Sequence, residues 1–179
     1  MSNKEKALAV VAAIAGLFIL WRMSMGKVQK FVTDLLSQAN AVSKEYNLPV
    51  WLIMSQAAHE SAYGLSGLTL KAYNLFGFTG EAWKKAGKPV IEMPTTEWKD
   101  GKAYKTTRPF RRYTSLGDSM RDYARLMTTQ PRYASVVAAA RRGDVQAAFD
   151  LLTSSGYATD PTYGAKVAGV YKGLKQYLV

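Results

Sequence analysis

The stretch from Val50 to Ala58 most constrains what this chain can become. Val50 through Met54 and Ala57-Ala58 are apolar on nearly every side of a helical wheel, and a helix apolar all round belongs in an interior. Leu48-Pro49 opens it, with proline suited to the first helical position. Gly64 and Gly67 read as its end. The rest of the chain is mostly helical around this central element. Val28, Phe31, Val32, Leu35, Leu36, Ala39 and Val42 recur at three-and-four spacing, which predicts an amphipathic helix ending before Asn47. Further helices are predicted from Thr114-Ser115 to about Thr128, near Tyr133–Arg142, near Asp144–Ser154, and from Asp160-Pro161 to about Tyr177. Ser115 and Asp118 have capping-box-like spacing, and Asp160 reads as an N-cap. Residues 84 to 113 break the pattern. Thr- and aromatic-rich flanks around Lys99-Asp100-Gly101 predict a β-hairpin. The fold class is mainly α with a small β-hairpin lobe.

The N-terminus is compositionally separate. Met1–Lys6 is polar and basic, Ala7–Trp21 is 15 uncharged residues, nearly all apolar, and Arg22 closes the run. At ~1.5 Å per residue such a helix falls short of a ~30 Å hydrocarbon core. Trp21 and snorkelling from Lys6 or Arg22 would extend it. No small-residue cleavage site follows Leu-Phe-Ile-Leu-Trp, which favours an uncleaved membrane anchor over a signal peptide or a soluble packing helix. Basic residues flank the run on both sides, so its orientation is left open.

Some chemistry is excluded. The chain has no cysteine and one histidine, His59, so thiolate metal sites, His-rich zinc sites and a triad built on another histidine are ruled out. A net charge of +11 predicts attraction to polyanions, whether nucleic acid, acidic lipid or an anionic wall, without choosing among them.

Glu60 is the first candidate for chemistry. It lies near the C-terminal end of the most apolar helix, partly desolvated and at the negative end of a helix dipole; both effects favour the neutral acid. A general acid needs that condition near neutral pH. The plainer reading is a Glu exposed where the helix emerges. Glu97, in Pro-Thr-Thr-Glu-Trp-Lys-Asp-Gly just before the hairpin turn, is the natural second carboxylate; its plainer reading is a strand residue paired with Lys99 or Lys102. Asp122, near Arg121 and Arg125, reads as a surface salt-bridge residue, and His59 reads as structural, some 100° around the helix from Glu60. Tyr63, Tyr73, Phe76, Phe78, Trp83, Trp98 and Tyr157 cluster in the expected loops, where aromatics suit either sugar faces or ordinary core filling. Lys84 to Arg112 holds nine basic and three acidic residues, a patch for carboxylates or a solvated face.

Four blocks make the chain recognisable in order: Ala58-His59-Glu60-Ser61-Ala62-Tyr63-Gly64; Tyr73-Asn74-Leu75-Phe76-Gly77; Thr95-Thr96-Glu97-Trp98-Lys99-Asp100-Gly101 through Phe110-Arg111-Arg112-Tyr113; and Gly156-Tyr157-Ala158-Thr159-Asp160-Pro161. Together they resemble glycoside hydrolase family 73, the N-acetylglucosaminidases of flagellar-rod hydrolases, autolysins and phage lysins. Tyr63 stands where many relatives carry Trp. The resemblance implies a lysozyme-like fold over residues 28–179 behind an anchor or signal-like segment at 1–27. It implies Glu60 as general acid, Glu97 as the hairpin carboxylate and Tyr157 lining the active site, with Tyr63, Tyr73, Asn74, Phe76 and Trp98 as substrate contacts. The bond cut would be the β-1,4 linkage between N-acetylglucosamine and N-acetylmuramic acid in peptidoglycan, with no metal, cofactor or nucleic-acid partner. The enzyme would face the cell wall from a membrane through residues 7–21, in a bacterium or a phage particle. Water activated by Glu97, a covalent route and assistance from the substrate's acetamido group are all compatible. The rivals are a lytic transglycosylase or muramidase on the same scaffold, and a non-catalytic wall-binding protein.

Overall fold

A computed structural model describes residues 2, 4–8, 26–99 and 102–178, without the side chains of residues 97–99. Helix α1 spans Lys27–Tyr46 and buries the stripe Phe31, Val32, Leu35, Ala39 and Val42, as its spacing requires. It ends at Asn47, whose left-handed backbone (φ 49°) caps the last turn through its N–H to the Ser43 carbonyl. Helix α2, Val50–Glu60, is the interior element: Leu52 through Ala58 are all buried. It ends earlier than the glycines suggested. Ser61 Oγ donates to the Ala57 carbonyl and accepts from the Gly64 N–H at 2.7 Å, and Ala62, Tyr63 and Gly64 all turn left-handed. This turn leaves Glu60 as the last helical residue.

Two short helices follow, α3 (Gly67–Ala72) and α4 (Glu81–Lys85); neither is long enough to carry a readable period. Strands β1 (Val90–Lys99) and β2 (Lys102–Arg111) pair antiparallel from Val90↔Arg111 to Lys99↔Lys102, the hairpin the sequence predicts. Helices α5 (Leu116–Thr129), α6 (Ala134–Arg141), α7 (Val145–Ser154) and α8 (Tyr163–Leu174) complete the body; α5 and α8 pack on α2, and α6 packs on α7. Ser115 caps α5 by accepting from the Asp118 N–H, and Asp144 caps α7 by accepting from the Ala147 N–H. Asp160 does not cap α8. Its carboxylate accepts from the N–H and hydroxyl of Thr162 at 2.8 and 2.7 Å, a local turn one step before the helix. Helix α8 runs tight against α7: a Cβ on Gly164 would lie 2.2 Å from the Phe149 carbonyl oxygen, so only glycine fits.

Residues 4–8 are helical. Beyond Leu8, the expected anchor at Ala7–Trp21 lies outside the described residues, and among those described no helix is long and apolar enough to cross a membrane.

The hairpin is tied to the helical body through Asp122, which corrects its reading as a surface residue. It is 7% exposed and accepts from Arg111 at the end of β2, from Tyr113 Oη at 2.7 Å and from Arg125. Burial pushes its carboxyl up, but the hydrogen bonds from Tyr113, Arg111 and Arg125 outweigh it, and the group settles below the usual aspartate value. Asn74 adds a second tie, donating to the carbonyls of Phe78 and Arg111 at 2.9 Å each and accepting from the Phe78 N–H at 3.1 Å. Removing the carboxylate leaves the buried Tyr113 hydroxyl without its acceptor. Asp122→Ala should therefore cost about 1–3 kcal/mol of unfolding free energy in urea titration, whereas loss of an exposed pair such as Lys84–Glu92 should cost under about 1 kcal/mol.

Candidate active site

Glu60 stands half-buried at the mouth of a cavity of about 440 Å³, lined chiefly by His59, Phe76, Phe78, Tyr157 and Tyr163 beside it. The helix end delivers it there, and α8 supplies its partner. Tyr163 Oη donates to Glu60 Oε1 at 2.6 Å and accepts from Gln56 Nε2 at 2.9 Å, while Tyr123 Oη donates to Gln56 Oε1. Burial is the largest influence on the Glu60 carboxyl and raises its pKa; the Tyr163 hydrogen bond and the nearby His59 pull it down without cancelling that rise. The Tyr163 hydroxyl is itself pushed far up, by its own burial first and by the Glu60 charge second, so it serves as a donor and not as an ionised group.

Aromatic rings form the floor. Phe76 stacks on Tyr123 with centroids 4.2 Å apart and on Phe78 at 5.8 Å. Tyr157 stacks on Tyr163 at 5.4 Å. Its hydroxyl is buried with no hydrogen-bond partner among the described residues, a condition rare enough to need a reason. His59 also reaches the cavity, its ring edge-on to Tyr163 at 5.4 Å. His59 and Glu60 both meet Tyr163, one through its ring and the other through its hydroxyl, so His59 is part of the wall as well as of the scaffold. Arg132 lines the far side with its guanidinium over the Tyr133 ring at 4.6 Å.

The expected site residues divide. Glu60, Phe76 and Tyr157 converge on the cavity. Asn74 lies beneath it, 1% exposed, with its amide committed to the Phe78 and Arg111 backbone. Tyr63 and Tyr73 do not reach it. The left-handed turn after Glu60 swings Tyr63 back onto Phe31, with centroids 5.8 Å apart, and both tyrosines line a separate pocket with Lys27, Lys30 and Leu70. Glu97 and Trp98 sit near the hairpin tip, in register with Tyr104 and Ala103; their side chains lie outside the described residues. Sequence reading missed Gln56, Tyr123 and Tyr163. Only Gln56 carried a signal, one helical turn before Glu60 on the same face. Among the described residues no three His, Asp or Glu side chains converge to hold a metal.

The family described as mannosyl-glycoprotein endo-beta-N-acetylglucosaminidase matches residues 36–176. The chain is 37% identical over 155 residues to the peptidoglycan hydrolase FlgJ of Salmonella typhimurium, covering 84% of this chain and 47% of that protein. It is 33% identical over 147 residues to the exo-glucosaminidase LytG of Bacillus subtilis, covering 79% and 50%. It thus spans about half the length of these relatives. The C-terminally truncated glycoside hydrolase domain of Salmonella typhimurium FlgJ superposes with a TM-score of 0.67 at 35% identity, covering 83% of this chain and 98% of that domain.

The carboxyl environment is directly measurable. Carbon-detected NMR titration should find Glu60 ionising above the ordinary glutamate range. Tyr163→Phe, by deleting a donor to the charged form, should move that titration further up; a downward move would contradict the hydrogen-bond assignment.

Proposed function

The chain belongs to the glucosaminidase family, and we propose that it hydrolyses peptidoglycan at the β-1,4 bond between N-acetylglucosamine and N-acetylmuramic acid, with Glu60 as general acid. The observation that carries this reading is a half-buried carboxyl with raised pKa at an aromatic-floored cavity. In the reaction the C1–O bond breaks with its electron pair passing to the leaving oxygen, which takes the Glu60 proton. Water adds to C1 and gives up a proton in turn. Glu97 on the hairpin receives that proton, and the substrate's acetamido group is able to share its task. Phe76 and Trp98 provide faces for sugar rings. Tyr157 lines the cavity beside Tyr163 and shapes its wall against the glycan. Because Tyr63 and Tyr73 lie in the separate pocket, they serve only a strand that extends past Glu60.

Residues 28–179 form the catalytic domain in this reading, and Ala7–Trp21 tether it to a membrane facing the wall. The unbroken uncharged run, Trp21 and the basic residue at either end support that tether. In the setting of a bacterial or phage wall enzyme, the chain's net charge of +11 draws it to an anionic wall.

Turbidity clearing of purified cell walls tests the acid. Glu60→Gln should keep the fold and wall binding while losing at least ~10²-fold of the rate, and Glu97→Gln should lose less, since the acetamido group has no counterpart for the acid. Near-native clearing by Glu60→Gln overturns the assignment. For the tether, removing residues 1–25 should release an active protein from the membrane pellet into the supernatant; continued pelleting would contradict it.

A further inference from the structure

The hydrogen bonds behind Glu60 run in one direction, and their order restricts where its proton can sit. Tyr123 is fully buried, and its hydroxyl has Gln56 Oε1 as its only hydrogen-bond partner among the described residues. An amide oxygen only accepts, so Tyr123 donates. Turning the Gln56 amide over would leave the Tyr123 proton stranded in the core, at a cost of order 1–3 kcal/mol. With the amide so held, Gln56 Nε2 donates to Tyr163 Oη at 2.9 Å. That contact fills the acceptor side of the hydroxyl, and its proton points at Glu60 Oε1, 2.6 Å away. An oxygen receiving that proton is a poor place for a second one. Oε2 of Glu60 has no protein hydrogen-bond partner among the described residues.

We infer that Gln56 and Tyr123 are positioning residues that fix the direction of the Tyr123–Gln56–Tyr163–Glu60 chain, so that the acid proton is confined to Glu60 Oε2 and delivered from there. This rests on Glu60 being the general acid. Neither Gln56 nor Tyr123 hydrogen-bonds the carboxyl, and neither lines the cavity, so both act through Tyr163. Gln56 is 0% exposed and one turn from Glu60. A packing role alone would be met by any side chain of its volume, whereas direction requires an acceptor and a donor at once. Without Gln56 the Tyr163 hydroxyl is free to rotate and accept. The Glu60 proton can then settle on Oε1 against Tyr163, held away from the glycosidic oxygen.

The test is the pH dependence of cleavage of a soluble muropeptide glycan by the full chain. The acid must be protonated, so activity falls as pH rises through the Glu60 pKa, and anything that raises that pKa moves the alkaline limb up. Gln56→Met keeps the volume and removes both hydrogen bonds. It should move the alkaline limb up by about half a pH unit or more, lower kcat ~10-fold, and leave KM within about twofold. Tyr123→Phe removes only a buried hydroxyl and should shift the limb the same way, more weakly; it gives the answer where Gln56→Met fails to fold. A limb at the wild-type position in whichever of these variants folds, with any loss of activity tracking a loss of Tm, makes the two residues structural and overturns the inference. Glu60→Gln runs alongside. If it cleaves like wild type, the acid assignment itself has failed, a result separable from failure of the chain's direction.

Discussion

A carboxyl at the end of a buried helix has two ways to exist at low cost: its oxygens find donors, or it keeps its proton. Glu60 does some of each. Its helix is enclosed from Leu52 to Ala58, and only the break at Ser61 brings the carboxyl out as far as the cavity. One oxygen is satisfied by Tyr163, and burial holds the group toward its protonated form. Much else in the fold is arranged around that balance. Gly164 lets α8 press against α7, next to the tyrosine that meets Glu60. The turn through Ala62, Tyr63 and Gly64 sends the chain away, so the carboxyl is not buried a second time.

The β-hairpin depends on a different constraint. A two-stranded ribbon is marginal by itself, and no residue of β2 is fully buried. What fixes it is the base, where Arg111 meets Asp122 and Asn74 bridges two backbone carbonyls. The base therefore belongs to the rigid body, and the strand ladder runs on from it to Lys99↔Lys102. The role proposed for Glu97 depends on that ladder, which holds its backbone opposite Tyr104.

The parts legible in the sequence were those with a period or a local motif. The all-round apolar run from Val50 gave the central helix, the three-and-four spacing from Val28 gave α1, and Asp-Gly between Thr-rich flanks gave the hairpin. The position of Glu60 followed from the first of these. Asp122 was misread because its local neighbours, Arg121 and Arg125, form an ordinary surface pattern. Its burial comes from Tyr113 and Arg111, which a loop brings in. Asp160 was misplaced by a single turn for a similar reason, since an aspartate before proline caps turns and helices alike. Tyr163 and Gln56 could not be paired from sequence: 107 residues separate them, and 103 separate Tyr163 from Glu60. Tyr63 and Tyr73 looked like groove aromatics because nothing local reveals a left-handed turn at a non-glycine residue.

The same scaffold and the same kind of acid serve hydrolysis on either side of the disaccharide and also intramolecular closure, in which the C6 hydroxyl of the sugar that carries the attacked C1 displaces the leaving sugar, so fold and acid alone do not choose the product. The choice lies in which sugar's C1 sits above Glu60. Mass spectrometry of borohydride-reduced digests of purified peptidoglycan reads that directly. Cleavage after N-acetylglucosamine predicts fragments ending in reduced N-acetylglucosamine, absent from a Glu60→Gln digest. Fragments ending in reduced N-acetylmuramic acid, or in its anhydro form that resists reduction, would contradict the account.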